Sequence, residues 1–455
     1  MSWLVRLKRA SPRLTFLSEL PGDGLELVAA GFWSLVLRGS GMVATFILGV
    51  QLARYLGPSD LGLYGLILSS TMLLSAAGQL GLPTLATRKV AVAWRRKNYG
   101  VLRGVLHWFG WASFSASCLL AAMFALGSRI WPGLDPRLPE AALIGAPLIP
   151  LYALTVLLSA ELRAIDRLVL GQSLEILVRP MASSILLAIV FIAASKVDTR
   201  GALAVSVVAA TIALSIAFVW MVRCLPASAR SAKPERDIGG WLRSARPLIF
   251  ADILRQLDGT YAVILMGFVS TSYQTGIFRV AQSIMLALAI PVFVVQVVVA
   301  PTLARLHEAG DLGRLQKVLG FSALATLVGS CVGLALILLT GPGLLGFLFG
   351  DSYTASWLPL VVLCLTQVVN GLFGVGFVLL PMAGAERELT LSFAFSVAVG
   401  LISAIPLIDR WAATGAAMAA VLGALTNGLL TRYFARRLLG VETTLAGCFV
   451  QFRDN

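Results

Sequence analysis

Seven ionisable side chains within the long apolar runs of this 455-residue chain are candidates for chemistry: Arg38, Glu175, Arg179, Asp252, Arg255, Asp258 and Arg279. A charged group inside an apolar run is costly to leave facing hydrocarbon, so each must face a partner or a water-filled cavity. Arg38 lies about ten residues, or ~15 Å, into the first run. A guanidinium at that depth offers a planar fork of donors suited to holding an anion by charge-assisted hydrogen bonds. Asp252, Arg255 and Asp258 recur at i, i+3 spacing, which brings neighbouring charges within reach along one helix. Asp258 then reaches mid-run, a position suited to coupling or gating. Glu175 and Arg179 stand at i, i+4 in the favourable order just before Pro180 and are expected to pair near a helix end. Arg279 sits a few residues inside the end of its run, where a long side chain can snorkel. Gln51, Gln79, Gln282, Gln296, Gln367 and Asn370 are polar positions within apolar runs, suited to lining a path or to bonding helix to helix.

The chemistry these residues suit is binding, not bond-making. No nucleophile elbow, phosphate loop or HExxH pattern is present, and His107 and His307 stand beside basic loops without metal-ligand spacing. The five cysteines form no CxxC and no pairing framework. No enzyme activity, cofactor, metal site or disulfide is expected.

The elements that position the charges are apolar helices. The sequence is 58% hydrophobic and 13% charged, a balance of a polytopic membrane protein. Runs at 28–53, 61–82, 106–126, 141–162, 174–194 and 201–222 are each long enough to cross about 30 Å of hydrocarbon. After the polar stretch 223–246, six more follow at 248–269, 277–303, 319–340, 357–382, 389–408 and 411–433. The expected architecture is all-α, with twelve spans in two six-helix lobes: an N-lobe at 28–222, a linker at 223–246 and a C-lobe at 247–433. Residues 1–27, rich in Arg and Lys among apolar positions, are expected to lie on the membrane as an interfacial helix, and 434–455 to form a tail. With these spans, 26 of the 36 Lys and Arg fall on the side of the termini, 6 on the other and 4 inside spans. That bias places both termini in the cytoplasm. The formal net charge of +14 is therefore a topology signal, and nucleic-acid binding is not expected.

The turn Arg54-Tyr55-Leu56-Gly57-Pro58-Ser59-Asp60, continued by Leu61-Gly62-Leu63-Tyr64 and later by Gln79-Leu80-Gly81-Leu82-Pro83, resembles the opening hairpin of the polysaccharide transporter (O-antigen flippase) family. That family belongs to the multidrug/oligosaccharidyl-lipid/polysaccharide exporter superfamily. The resemblance extends to length, span count and two-lobe layout, but its sequence-specific part is this hairpin. Gly276-Ile277-Phe278 opens the second span of the second half as Gly62-Leu63-Tyr64 opens that of the first, a weak internal repeat.

The resemblance implies a central cavity open alternately to each face of a bacterial inner membrane. It also implies translocation of polyprenyl-pyrophosphate-linked oligosaccharide from the cytoplasmic to the outer leaflet. Membrane lipids and the polysaccharide polymerase machinery are the implied partners. Related lipid-linked peptidoglycan precursor flippases carry cavity arginines in the first and eighth spans, where Arg38 and Arg279 fall. Arg38, Arg255 and Arg279 are thus the expected substrate-binding residues, Asp252 and Asp258 the coupling or gating pair, and Glu175 and Arg179 secondary candidates. A cation-coupled multidrug exporter of the same superfamily is the competing reading, and four intramembrane arginines against three acids weigh against it. A membrane-embedded polymerase or ligase should carry a large outer loop, and the longest here is 127–140.

Overall fold

The computed structural model describes residues 22–130, 135–194, 196–235 and 237–448. The interfacial helix expected at the N-terminus falls mainly on residues 1–21, outside the described residues. Every regular element among the described residues is helical. Among the described residues, eight helices are long and apolar enough to cross a membrane, or nine when the bent pair beginning at Ser272 counts as one span.

The first helix, α1 (Gly22–Gly78), contains the opening hairpin as one element broken at Gly57. There φ is 74° and ψ 170°, a conformation open to glycine, and Pro58 follows with no N–H to offer. The expected seven-residue turn is thus a single sharp break. Next comes α2 (Leu82–Arg95), a helix beyond the twelve expected spans. Leu82, Leu85, Ala86, Val90 and Ala93 are buried at helical spacing, while Arg88 and Lys89 stay exposed.

The chain continues through α3 (Tyr99–Gly127), then α4 (Leu138–Gly145) and α5 (Leu148–Ala164), separated at Pro147. A short α6 (Leu168–Ser173) passes through a π turn at Leu174–Val178 into α7 (Arg179–Ala194), and α8 is Thr199–Cys224. The stretch taken as a linker, 223–246, is partly helical. It holds α9 (Ala227–Ser231), and α10 (Ile238–Val269) already begins within it and runs through Pro247.

The expected span at 277–303 is two helices, α11 (Ser272–Leu288) and α12 (Ile290–Glu308), bent by 45°. Then come α13 (Leu312–Thr340), α14 (Gly343–Phe349), α15 (Trp357–Phe373) and α16 (Gly376–Met382). The last helix, α17 (Glu386–Leu439), is 54 residues long and broken at Ala412, where φ is 46°. Beyond it the chain is not a free tail. Gln316 bonds the backbone of buried Glu442 on both sides at 2.7 Å, and Arg432 and Arg436 hold its carboxylate. Burial alone would raise the Glu442 carboxyl, but the hydrogen bonds from Arg432 and Thr444 take it below its ordinary value.

Two ends of the bundle differ in how the first and second halves meet. At the end marked by Gly62, α1 and α11 touch backbone to backbone. A Cβ on Gly62 would lie 1.7 Å from the Ser272 carbonyl, and one on Gly276 would lie 1.9 Å from that of Pro58. The two glycines that open the weak sequence repeat therefore pack against each other's helices. Around them, Arg54 donates to the carbonyls of Leu348 (2.8 Å) and Phe347 (2.5 Å), and the Tyr353 hydroxyl donates to Ala53 O at 3.0 Å. The Ser272 hydroxyl donates to Asp135 at 2.9 Å, and Arg137 binds both Asp135 and Asp60. At the other end the contacts include Thr84 to Asp252 at 3.4 Å and an exposed Arg88–Glu386 pair at 3.2 Å. Exposed pairs of that kind contribute ~0–1 kcal/mol.

Candidate functional site

Between these ends lies a cavity of about 970 Å³. Helices α1, α5, α7, α8, α10, α11, α12, α15, α16 and α17 contribute to its walls, together with the π turn. Six of the seven ionisable residues singled out in the sequence line it: Arg38, Glu175, Arg179, Arg255, Asp258 and Arg279. Asp252 does not. Four arginines face two acids, a formal surplus of two positive charges.

Arg38 is half-buried, with its guanidinium carbon 5.3 Å from the centre of the Phe293 ring. A guanidinium held over a ring face is oriented without using its in-plane N–H groups on the ring, which suits it to take a bidentate anion. Arg163 and Glu175 are both within electrostatic reach of it.

Glu175 and Arg179 do not form the i, i+4 pair expected from their spacing. The π turn at Leu174–Val178 inserts an extra residue into the helical repeat, so positions four apart no longer share a face. This turn packs on Gly41, where an added Cβ would stand 2.2 Å from Ile176. Glu175 instead pairs with Arg163 at 3.2 Å, and Arg179 lies 4.6 Å over the Tyr152 ring.

The Asp252, Arg255, Asp258 cluster is also divided. Arg255 pairs with Asp252, whose other neighbour is the Thr84 hydroxyl. Asp258, one turn on, accepts from the buried Ser396 hydroxyl at 3.4 Å. Arg279 does not snorkel from its helix end. Its stem lies against Gly65, where a Cβ would come within 2.8 Å of Cγ, and its guanidinium donates to Gln282 at 3.2 Å.

Of the polar positions flagged in the sequence, Gln282, Gln296, Gln367 and Asn370 line the cavity. Gln51 is engaged elsewhere, accepting from Ser184 at 2.6 Å. Several contributors escaped the sequence reading. Arg163 falls just beyond the run at 141–162, and nothing in the sequence links the rings of Tyr152 and Phe293 to the arginines they support. Thr366 and Asn427 line the cavity, with Thr366 Oγ1 and Asn427 Oδ1 buried and lacking a hydrogen-bond partner among the described residues. Glu161, a lone acid in the apolar run at 141–162, is 2% exposed and lies outside the cavity. Its presence as an uninterrupted apolar run's single carboxylate was a readable signal.

The arrangement of these helices is similar to that of solved MOP-superfamily transporters. A multidrug resistance MATE transporter of that superfamily in an inward-facing conformation aligns over 90% of this chain and 98% of its own, with a TM-score of 0.70 at 13% identity. The lipid II flippase MurJ in an inward closed conformation covers 90% of this chain and 87% of its own, with a TM-score of 0.64 at 13% identity. A MOP-superfamily transporter from Pyrococcus furiosus gives 0.61 at 13% identity, covering 90% of this chain and 95% of its own. No curated protein matches in sequence. The chain belongs to the polysaccharide biosynthesis protein family, whose model matches residues 27–307.

Proposed function

We propose that this protein is a flippase that carries polyprenyl-pyrophosphate-linked oligosaccharide from the cytoplasmic to the outer leaflet of a bacterial inner membrane. Dividing α1 at Gly57 and α17 at Ala412, and joining the broken pairs, supports twelve spans in two six-helix lobes with both termini cytoplasmic. The end at Gly62 is then the outer one, and alternating access requires its backbone contact to part.

The observation that carries the reading is the cavity's cationic surplus, with Arg38, Arg179, Arg255 and Arg279 among its lining residues. A pyrophosphate cannot cross hydrocarbon unaided, and charge-assisted hydrogen bonds from guanidinium groups replace its hydration. The same surplus argues against a cation-binding multidrug exporter. Arg38, Arg255 and Arg279 bind substrate in this account, Arg179 supports them, and Asp252 and Asp258 take part in gating. Membrane lipids surround the bundle, and the polymerase machinery consumes the product on the far side.

The test is mass spectrometry of lipids that co-purify with the protein in mild detergent. A polyprenyl-pyrophosphate saccharide is expected, depleted in Arg38→Ala. Retention of only bulk phospholipid, unchanged by that substitution, would overturn the assignment.

A further inference from the structure

Two of the cavity's arginines have no counter-charge. Glu175 is held by Arg163, Arg255 by Asp252, and Asp258 accepts from Ser396, whereas neither Arg179 nor Arg279 has an ion pair among the described residues. Both are partly exposed and line the cavity, so a ligand can reach them. They come from opposite halves of the chain: Arg179 stands on α7 over the Tyr152 ring, and Arg279 on α11 with its stem against Gly65. Tyr64 is within electrostatic reach of both. The Ser206 hydroxyl donates to the Ala202 carbonyl, so the Tyr64 hydroxyl at 3.0 Å is the donor to Ser206, and it carries no charge to offset the arginines. Cations at this depth call for an anionic partner.

The pair also stands at a different level from Arg38. A Cβ on Gly49 would lie 3.4 Å from the Ser283 hydroxyl, which fixes the register of α1 against α11. As α1 approaches the end marked by Gly62, α11 leaves it. Arg279 is therefore about one turn nearer that end than this contact, and Arg38 about 11 residues, or ~16 Å, farther from it. The side chains do not close the gap. Arg279 donates to Gln282 in its own helix, while Arg38 sits over Phe293, about 11 residues beyond Gln282 along α11 and α12. A diphosphate, two phosphorus atoms bridged by one oxygen, cannot span that interval.

We propose that Arg179 and Arg279 form a second anion site that takes a carboxylate on the glycan, so that the protein prefers lipid-linked oligosaccharides containing an acidic sugar such as a hexuronate. The inference rests on the lipid-linked substrate proposed above and assigns its two kinds of anion to two levels of the cavity. A substrate whose prenyl chain stays in the cytoplasmic leaflet holds its diphosphate near that leaflet, at Arg38. Its sugars then reach farther in, toward Arg279. A guanidinium fork matches a carboxylate bidentately, and forks from both halves of the chain can engage its two oxygens. Neutral sugar hydroxyls would leave both cations uncompensated, which sets a neutral glycan at a disadvantage.

The experiment uses the full chain in nanodiscs of zwitterionic lipid, so that bulk anionic lipid does not compete. Four ligands are titrated separately: polyprenol, bare polyprenyl pyrophosphate, that pyrophosphate carrying a glucose disaccharide, and its counterpart with glucuronate as the outer sugar. The readout is the affinity ratio of the acidic to the neutral glycolipid. In the parent it should be about ten- to 150-fold, the worth of one charge-assisted contact. Arg179→Gln should bring the ratio toward one. Arg279→Lys, which keeps a stem in the Gly65 notch and loses the fork, should lower it. Arg38→Ala should weaken all three pyrophosphates and leave the ratio intact. A parent ratio near one, or a ratio kept in both Arg179→Gln and Arg279→Lys, would overturn the second site. So would an Arg179→Gln variant that weakens the bare pyrophosphate as much as the acidic glycolipid, since the diphosphate would then occupy that level. A parent that shows the ratio but binds bare polyprenyl pyrophosphate no better than polyprenol would instead overturn the diphosphate reading and leave the second site standing.

Discussion

The helices that carry the cavity's arginines differ from α15 and α17, whose polar lining residues Thr366, Gln367, Asn370 and Asn427 are uncharged. On the first, Glu175 is tied to Arg163, Arg179 rests on Tyr152, and Arg38 is set over Phe293. On the second, Thr366 and Asn427 have buried oxygens without a partner among the described residues. A guanidinium over a ring face keeps the N–H groups at its edge free, which suits the arginine-bearing helices to the anion proposed for them.

The comparison breaks first at Arg38. A charge-assisted contact is worth about 1.5–3 kcal/mol, so Arg38→Ala should lower export about ten- to 150-fold per molecule in the membrane. Arg38→Lys should also be impaired, less severely, because an ammonium keeps the charge and loses the fork. Export is read as surface polysaccharide in a strain lacking the native gene, normalised to membrane protein.

A smaller effect is expected behind the arginine-bearing helices. Arg163→Gln leaves Glu175 without its counter-charge while Arg38 is within reach, so Glu175 should turn toward Arg38 and compete with the substrate anion. Export should fall about three- to tenfold, and the double variant Arg163→Gln with Glu175→Gln should recover most of it. On α10, Asp258→Asn keeps one acceptor, and a two- to fivefold slowing at unchanged protein amount is expected, at roughly the strength of one neutral hydrogen bond.

The least effect belongs to the end marked by Gly62. Hydrogen bonds from Arg137 hold the Asp135 carboxyl down at about 2, against an ordinary value of 3.8. Because its folded value is depressed, the stabilisation is complete above the ordinary value and is lost only as pH falls through about 2. The Ser272–Asp135 contact should therefore be indifferent to pH between about 5 and 9. Asp135→Asn should change export less than about fivefold, as for other partly exposed pairs.

Much of the frame was legible in the sequence because strong local rules agree there. Gly57-Pro58 between two apolar runs marks the break in α1, and Pro147 marks that between α4 and α5. The helix at Leu82–Arg95 was equally legible, since its apolar residues recur at helical spacing beneath the exposed Arg88 and Lys89. The partners of the charges were not legible. Spacing rules for Glu175 and Arg179 assume an α-helix, and the π turn that breaks the rule is packed on Gly41, far away in sequence. Arg279 looked free to snorkel until Gly65 supplied the notch for its stem. Thr366 and Asn427 resemble many Thr and Asn in apolar helices, and only the positions of the surrounding carbonyls reveal that their oxygens are unmatched.

The account's central claim, that the arginine-bearing wall takes a diphosphate, is tested most directly by binding to the purified full chain in nanodiscs. Polyprenyl pyrophosphate, polyprenyl monophosphate and the uncharged polyprenol are titrated against the parent and Arg38→Ala. The account predicts that the parent prefers the pyrophosphate, and that Arg38→Ala loses about ten- to 150-fold of that affinity with polyprenol binding unchanged. Equal affinity of the parent for all three lipids, or an unaltered pyrophosphate affinity in Arg38→Ala, would contradict it.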